Sequence, residues 1–179
     1  MRKREKREPW SIEIGKLRNE YIAGSMEKIK VAKENGLFIE QIAIYESLIA
    51  DRIEARIGWL QRKQSNYLTL KSLGAACMEI KTKEKKANKE LFSLYDRAAA
   101  WYETRHHPIH ACCKITIESE HVPFAIKYSE YQQIALEGAK VFKALSGAIK
   151  KVQMGEKKAD EKRKLRLDAK AQEVEPGIF

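Results

Sequence analysis

Residues 105–113 read RHHPIHACC, and three of the four histidines in the chain fall inside this stretch. Three chemistries are open to it. His106, His107, His110, Cys112 and Cys113, with His121 further on, all carry metal-binding groups. Zinc ligands, however, come in spaced pairs, with a second pair far along the chain. Only His106 and His110 keep an H-x3-H spacing here, and no second patterned pair follows. The reading therefore assigns no metal and no cofactor. A structural role is the second option: Pro108 suits the first turn of a helix, and Cys112 and Cys113 pack as small hydrophobes. The third is catalysis by Arg105 and His110. A guanidinium grips a phosphate in two places, and an imidazole takes or gives a proton near neutral pH. Those are the parts needed to cleave RNA without a metal: a base for the 2′-hydroxyl proton and a cation for charge developing on phosphoryl oxygens. The free amides of a helix starting at Pro108 would add to an anion site.

The elements that must position these groups are helices. Four prolines and nine glycines in 179 residues are few, which favours long helices over many short strands. The first helix is expected over 11–34, with Ser11 as N-cap and Ile14, Leu17, Tyr21, Met26 and Ile29 as its apolar face, ending at Asn35-Gly36. The strongest periodicity lies in 37–63, where Phe38, Ile42, Tyr45, Ile49, Ile53, Ile57 and Leu60 recur every three or four residues. At about 100° per residue, Glu46 and Arg56 fall beside or inside that stripe and Asp51 on the far side. Buried charges are costly unless paired, so Glu46 and Arg56 either pair with each other or serve a site. Residues 66–80 predict a third helix, and KTKEKKANKE (81–90) reads as exposed. In the fourth helix, 87–104, Leu91, Leu94, Tyr95, Ala98, Trp101 and Tyr102 form the inner face, and Arg105 is the next inward position. KITIESEHVPF follows as a helix end and loop. A long helix over 127–152 then presents Tyr128, Tyr131, Ile134, Ala135, Ala139, Phe142, Leu145 and Ile149, with Gly155 as its breaker. The class is all-α, a bundle of four to five core helices.

Composition, 44% hydrophobic and 34% charged, is that of a globular chain with charge-rich surfaces. Three cysteines, two of them adjacent, make a poor disulfide framework and point to a reducing, cytoplasmic setting. The start MRKREKREPW has no apolar segment behind it, and no run reaches the length of a membrane span. The net charge of +10 is concentrated at the ends, +3 over residues 1–8 and +5 over 150–170. These ends are either solubilising tails or arms for a polyanion held by counterion release. The organisation is thus a basic extension (1–10), a helical domain (11–152) and a charged tail (153–179).

The spacing Arg105-His-His-Pro-Ile-His110, on the inner face of a fourth helix and followed by a long closing helix, resembles the R-x4-6-H signature of the HEPN superfamily. The resemblance covers about 11–152. It departs in Pro108 and in Cys112, where some toxin members carry a tyrosine. It implies a helical bundle pairing as a homodimer and a metal-independent endoribonuclease of toxin–antitoxin, abortive-infection or other phage-defence settings, with a possible cognate antitoxin. Arg105 would bind the scissile phosphate, His110 would act as base or acid, His106 would orient it or touch phosphate, and Glu46 would hold the Arg105 fork. Arg2, Lys3, Arg4, Lys150, Lys151, Lys157, Lys158 and Arg163 would hold the RNA backbone. Rival readings are a non-catalytic RNA- or protein-binding module of the same fold, and a helical nucleic-acid packaging protein acting through its tails.

Overall fold

The computed structural model describes residues 12–61, 72–110 and 123–173, and among them every regular element is a helix. They are α1 (Ile12–Glu34), α2 (Phe38–Leu60), α3 (Leu73–Lys83), α4 (Lys89–Thr104), α5 (His106–His110) and α6 (Phe124–Glu173). The all-α expectation holds. Ser11, residues 66–71, Arg2, Lys3, Arg4, Cys112, Cys113, His121 and most of KITIESEHVPF lie outside the described residues.

Helix α2 is the hub, packing on α1, α3, α5 and α6, while α4 closes the bundle against α3 and α6. Its stripe is the one read from periodicity: Ile42, Ile49 and Ile53 are sealed from solvent, with Tyr45 and Ile57 beside them. Helix α1 ends at Asn35-Gly36, where Gly36 takes φ 67° and the Leu37 amide donates to Ala32 O at 2.8 Å. A left-handed φ there strains any residue with a Cβ, which is why glycine ends the helix. The Ser72 hydroxyl caps α3 by accepting from the Ala75 amide. On α1 the expected apolar face holds at Ile29 but not at Leu17, Tyr21 and Met26, which are exposed; the packed side is Ile22, Ile29 and Ala32. That face is anchored by Arg18, whose Nε and Nη2 donate to Asp51 at 2.9 and 2.6 Å. Asp51 was expected in solvent, but the far side of α2 is where α1 lies.

Two features fix α6. Trp101 Nε1 donates to Ile134 O at 2.8 Å, and the ring lies so close to Gly138 that a Cβ there would stand 2.6 Å from Cζ2. Further along, fully buried Arg56 meets Glu84 and Glu156 rather than Glu46. Its Nε and Nη2 donate to the two Glu84 oxygens, both at 2.8 Å, and Nη1 donates to Glu156 Oε2 at 2.6 Å. Tyr95 and Asn88 donate to Glu84 as well, and Trp59 and Lys85 donate to Glu156. The KTKEKKANKE segment is therefore not merely exposed, since Glu84 is 6% accessible and sits at the C-cap of α3. Helix α6 also runs through Gly155 instead of stopping there. A glycine in a helix costs only about 1 kcal/mol relative to alanine, and the very next residue, Glu156, is held by Arg56.

Desolvation would push the Glu84 carboxyl up, but the bonds from Arg56, Asn88 and the Lys85 amide outweigh it and hold it low. The Arg56 bond holds the Glu156 carboxyl at about 2. A depressed carboxylate contributes stability above its unfolded pKa and loses it as pH falls toward the folded value. Denaturant titrations should therefore show stability falling from pH 5 toward pH 2, with a shallower slope in Glu156→Gln. Glu84→Ala, which strips a buried cation of its main partner, should cost about 3–5 kcal/mol. Gly138→Ala forces Trp101 to move and should cost about 1–3 kcal/mol, read as an earlier urea midpoint.

Candidate functional site

Arg105 is the C-cap of α4, with right-handed helical dihedrals and its amide donating to Trp101 O at 3.1 Å. Its carbonyl accepts from the Ile109 amide at 3.3 Å. The chain thus passes from α4 into α5 in one hydrogen-bonded step. The inner-face register of α4 carries through to its end: Leu91, Tyr95, Ala98, Trp101 and then Arg105 are all buried. Pro108 is sealed in the core and Ile109 packs against it, so α5 is pinned onto α2 and α4.

Glu46 and Tyr102 both contact the guanidinium of Arg105. Nη2 donates to Glu46 Oε1 at 2.7 Å, across from α2. Its Cζ stands 4.1 Å from the centroid of the Tyr102 ring, within cation–π range. Tyr102 is itself braced, because a Cβ on Gly74 of α3 would approach its Cε1 to 3.1 Å. Glu46, singled out beside the apolar stripe of α2, and Arg105, singled out by phase, are thus brought together. The Arg105 side chain is 5% accessible and that of Glu46 is 21%. The pair faces solvent through the carboxylate.

His106 opens α5 and is exposed. Of His107 and His110 the structure describes the backbone alone; position 110 lies four residues on from 106 in the same helix. A helix of five residues has a dipole too short to make an anion site of its own, so the expected contribution of its free amides is small. Among the described residues no three acidic, histidine or cysteine side chains gather in a metal-binding arrangement. Buried Cys77 is the free cysteine among them, and burial pushes its thiol up to about 11, which removes its nucleophilic form at neutral pH. No described helix is long and apolar enough to cross a membrane.

The cations expected to hold a polyanion divide. Lys150, Lys151, Lys157, Lys158 and Arg163 are exposed along α6 and stand apart from Arg105. Tyr102, expected on the inner face of α4 as a core residue, is also a platform for the guanidinium. An aromatic three residues before an inward arginine is the signal that could have shown it.

Replacing Glu46 by alanine removes the ion-pair partner of a buried guanidinium and should cost about 3 kcal/mol, near the lower end for such a cut. Glu46→Gln, which keeps an acceptor oxygen, should cost clearly less in the same denaturation experiment. Comparisons with family models, with curated proteins and with solved structures find no match.

Proposed function

We propose that the chain is a metal-independent endoribonuclease of HEPN type, working as a homodimer whose two RHHPIH segments share a cleft. What carries this reading is the Glu46–Arg105 pair at 2.7 Å, set where α4 turns into the helix bearing His106 and His110. In the proposed reaction His110 takes the 2′-hydroxyl proton as that oxygen attacks the adjacent phosphorus. The bond from phosphorus to the 5′-oxygen breaks, and the leaving oxygen is protonated. Arg105, exchanging or sharing Glu46 for a phosphoryl oxygen, balances the charge that develops. The products are a 2′,3′-cyclic phosphate and a 5′-hydroxyl. His106 contacts phosphate or orients His110, and a toxin or phage-defence role with a neutralising antitoxin fits such an activity.

One observation favours a second reading. At 5% side-chain accessibility, with a carboxylate and a tyrosine face as partners, Arg105 also suits a scaffold role in a non-catalytic RNA- or protein-binding module. Purified protein incubated with total RNA in excess EDTA separates the two. The nuclease reading expects cleavage with cyclic-phosphate ends, reduced at least about 100-fold by Arg105→Lys and by His110→Ala while thermal unfolding stays near wild type. Absence of cleavage, or cleavage indifferent to both changes, leaves the binding module.

A further inference from the structure

Helix α6 is 50 residues long, about 75 Å at 1.5 Å per residue, and only part of it belongs to the bundle. Glu156 ties it to the bundle, bonded to Arg56, Lys85 and Trp59. From Lys157 to Ala169 every residue is exposed, while the chain remains helical. The segment stands as a single helix rich in Lys, Arg, Ala and Leu, which are strong helix formers.

Its charges are sorted by face. Stepping about 100° per residue places Lys151, Lys158, Lys162, Arg163 and Arg166 within one arc of about 140°. The other described positions in that arc are Val152, which packs on the core, and Gly155, Ala159 and Ala169, so no acidic side chain enters it. Asp160, Glu161 and Asp168 all fall on the opposite side, with Lys150, Lys157 and Lys164. There each of Lys157 and Lys164 stands four residues from an acid, a spacing that supports the helix and neutralises that side. The fourth acid of the stretch, Glu156, is turned into the bundle. Net charge, spread evenly in the sequence, becomes a one-sided cationic strip about 22 Å long between Lys151 and Arg166.

We infer that this acid-free face of α6 is a docking surface for the sugar–phosphate backbone of base-paired RNA. The inference rests on the reading of RNA as substrate; the face itself specifies the kind of contact. Rigid, regularly spaced cations match the regular phosphates of a duplex, and glycine and alanine between them let the helix lie close. The arm has no aromatic residue on which unpaired bases would stack. The cationic arc also has no asparagine or glutamine to read base edges, so recognition is by shape and charge. Leu165 and Leu167 point to different sides, leaving neither an apolar seam for a second copy nor an apolar face for a membrane. The strip begins about 20 Å along α6 from Gly138, where Trp101 and the end of α4 lie. It therefore holds RNA at a distance from RHHPIH.

Full-length protein in a His110→Ala background, titrated with a labelled RNA hairpin at several salt concentrations, tests this. Lys158→Glu with Arg166→Glu should weaken binding at least tenfold and lower the salt slope by one to two. Lys157→Glu with Lys164→Glu makes the same change in charge on the other side and should weaken binding less than threefold. Equal losses from the two pairs, or wild-type affinity for single-stranded RNA or duplex DNA as high as for the hairpin, would overturn the proposal. Circular dichroism of each pair checks that α6 stays helical. Cleavage is scored separately: loss of the nuclease reading with the face effect intact, or the reverse, tells the two failures apart.

Discussion

A guanidinium with no access to water fastens this bundle. Arg56 lies on α2, and the carboxylates around it come from the end of α3 and from α6. Removing a cation from water is costly, and only full pairing with good geometry offsets it. Arg56 has both: two carboxylates meet its fork, and tyrosine, asparagine, tryptophan and lysine complete their hydrogen bonding. The arrangement tolerates one register of α6 against α2. Eighteen residues back along α6, that register brings Gly138 under Trp101, which fixes the end of α4. The position of Arg105 opposite Glu46 is thus set from the far end of the molecule.

The two buried arginines differ in how they are balanced. Arg56 sits between two carboxylates at 0% and 16% side-chain accessibility, and the cluster is neutral once Lys85 is counted. Burial alone would lower its affinity for a proton, yet Glu84 and Glu156 raise it instead. Nothing there invites exchange with an outside anion. Arg105 meets Glu46, which is partly open to solvent, together with the face of an aromatic ring. A phosphate arriving at that edge competes with a carboxylate that water already reaches, and the ring holds the guanidinium plane while partners change. The same residue type thus acts as a brace in one place and carries the proposed chemistry in the other.

Much of this was legible in the chain because it repeats locally. The three- and four-residue spacing of α2 and α4 is set by which side chains meet the core, so the phase that buries Tyr95 and Trp101 also buries Arg105. Glu46 stood out for the same reason, as a charge at the edge of an apolar stripe. What escaped depends on partners far away in sequence. Glu84 looks like one more charge in KTKEKKANKE, and only Arg56, 28 residues earlier, makes it a buried anion. Asp51 faces away from the stripe of α2, and nothing in α2 announces that Arg18 will cover it. The exposed Leu17 and Tyr21 show the converse, since apolar spacing on α1 could not say which of its sides α2 would take.

Gly155 bears on how a helix outlives its bundle. Propensity argues for a stop at that glycine, because it weakens the helix just where the hydrophobic contacts of Val152 end. Glu156 reverses the balance by tying the following turn to three side chains of the bundle. From Lys157 to Ala169 every residue is exposed, and continuation falls to the sequence itself: strong helix formers, and acids four residues from lysines. Those acids can support the helix only from the side on which they lie. Supporting an isolated helix from one side leaves its other side free to be purely cationic, so the device that keeps the extension helical is also the one that sorts its charge.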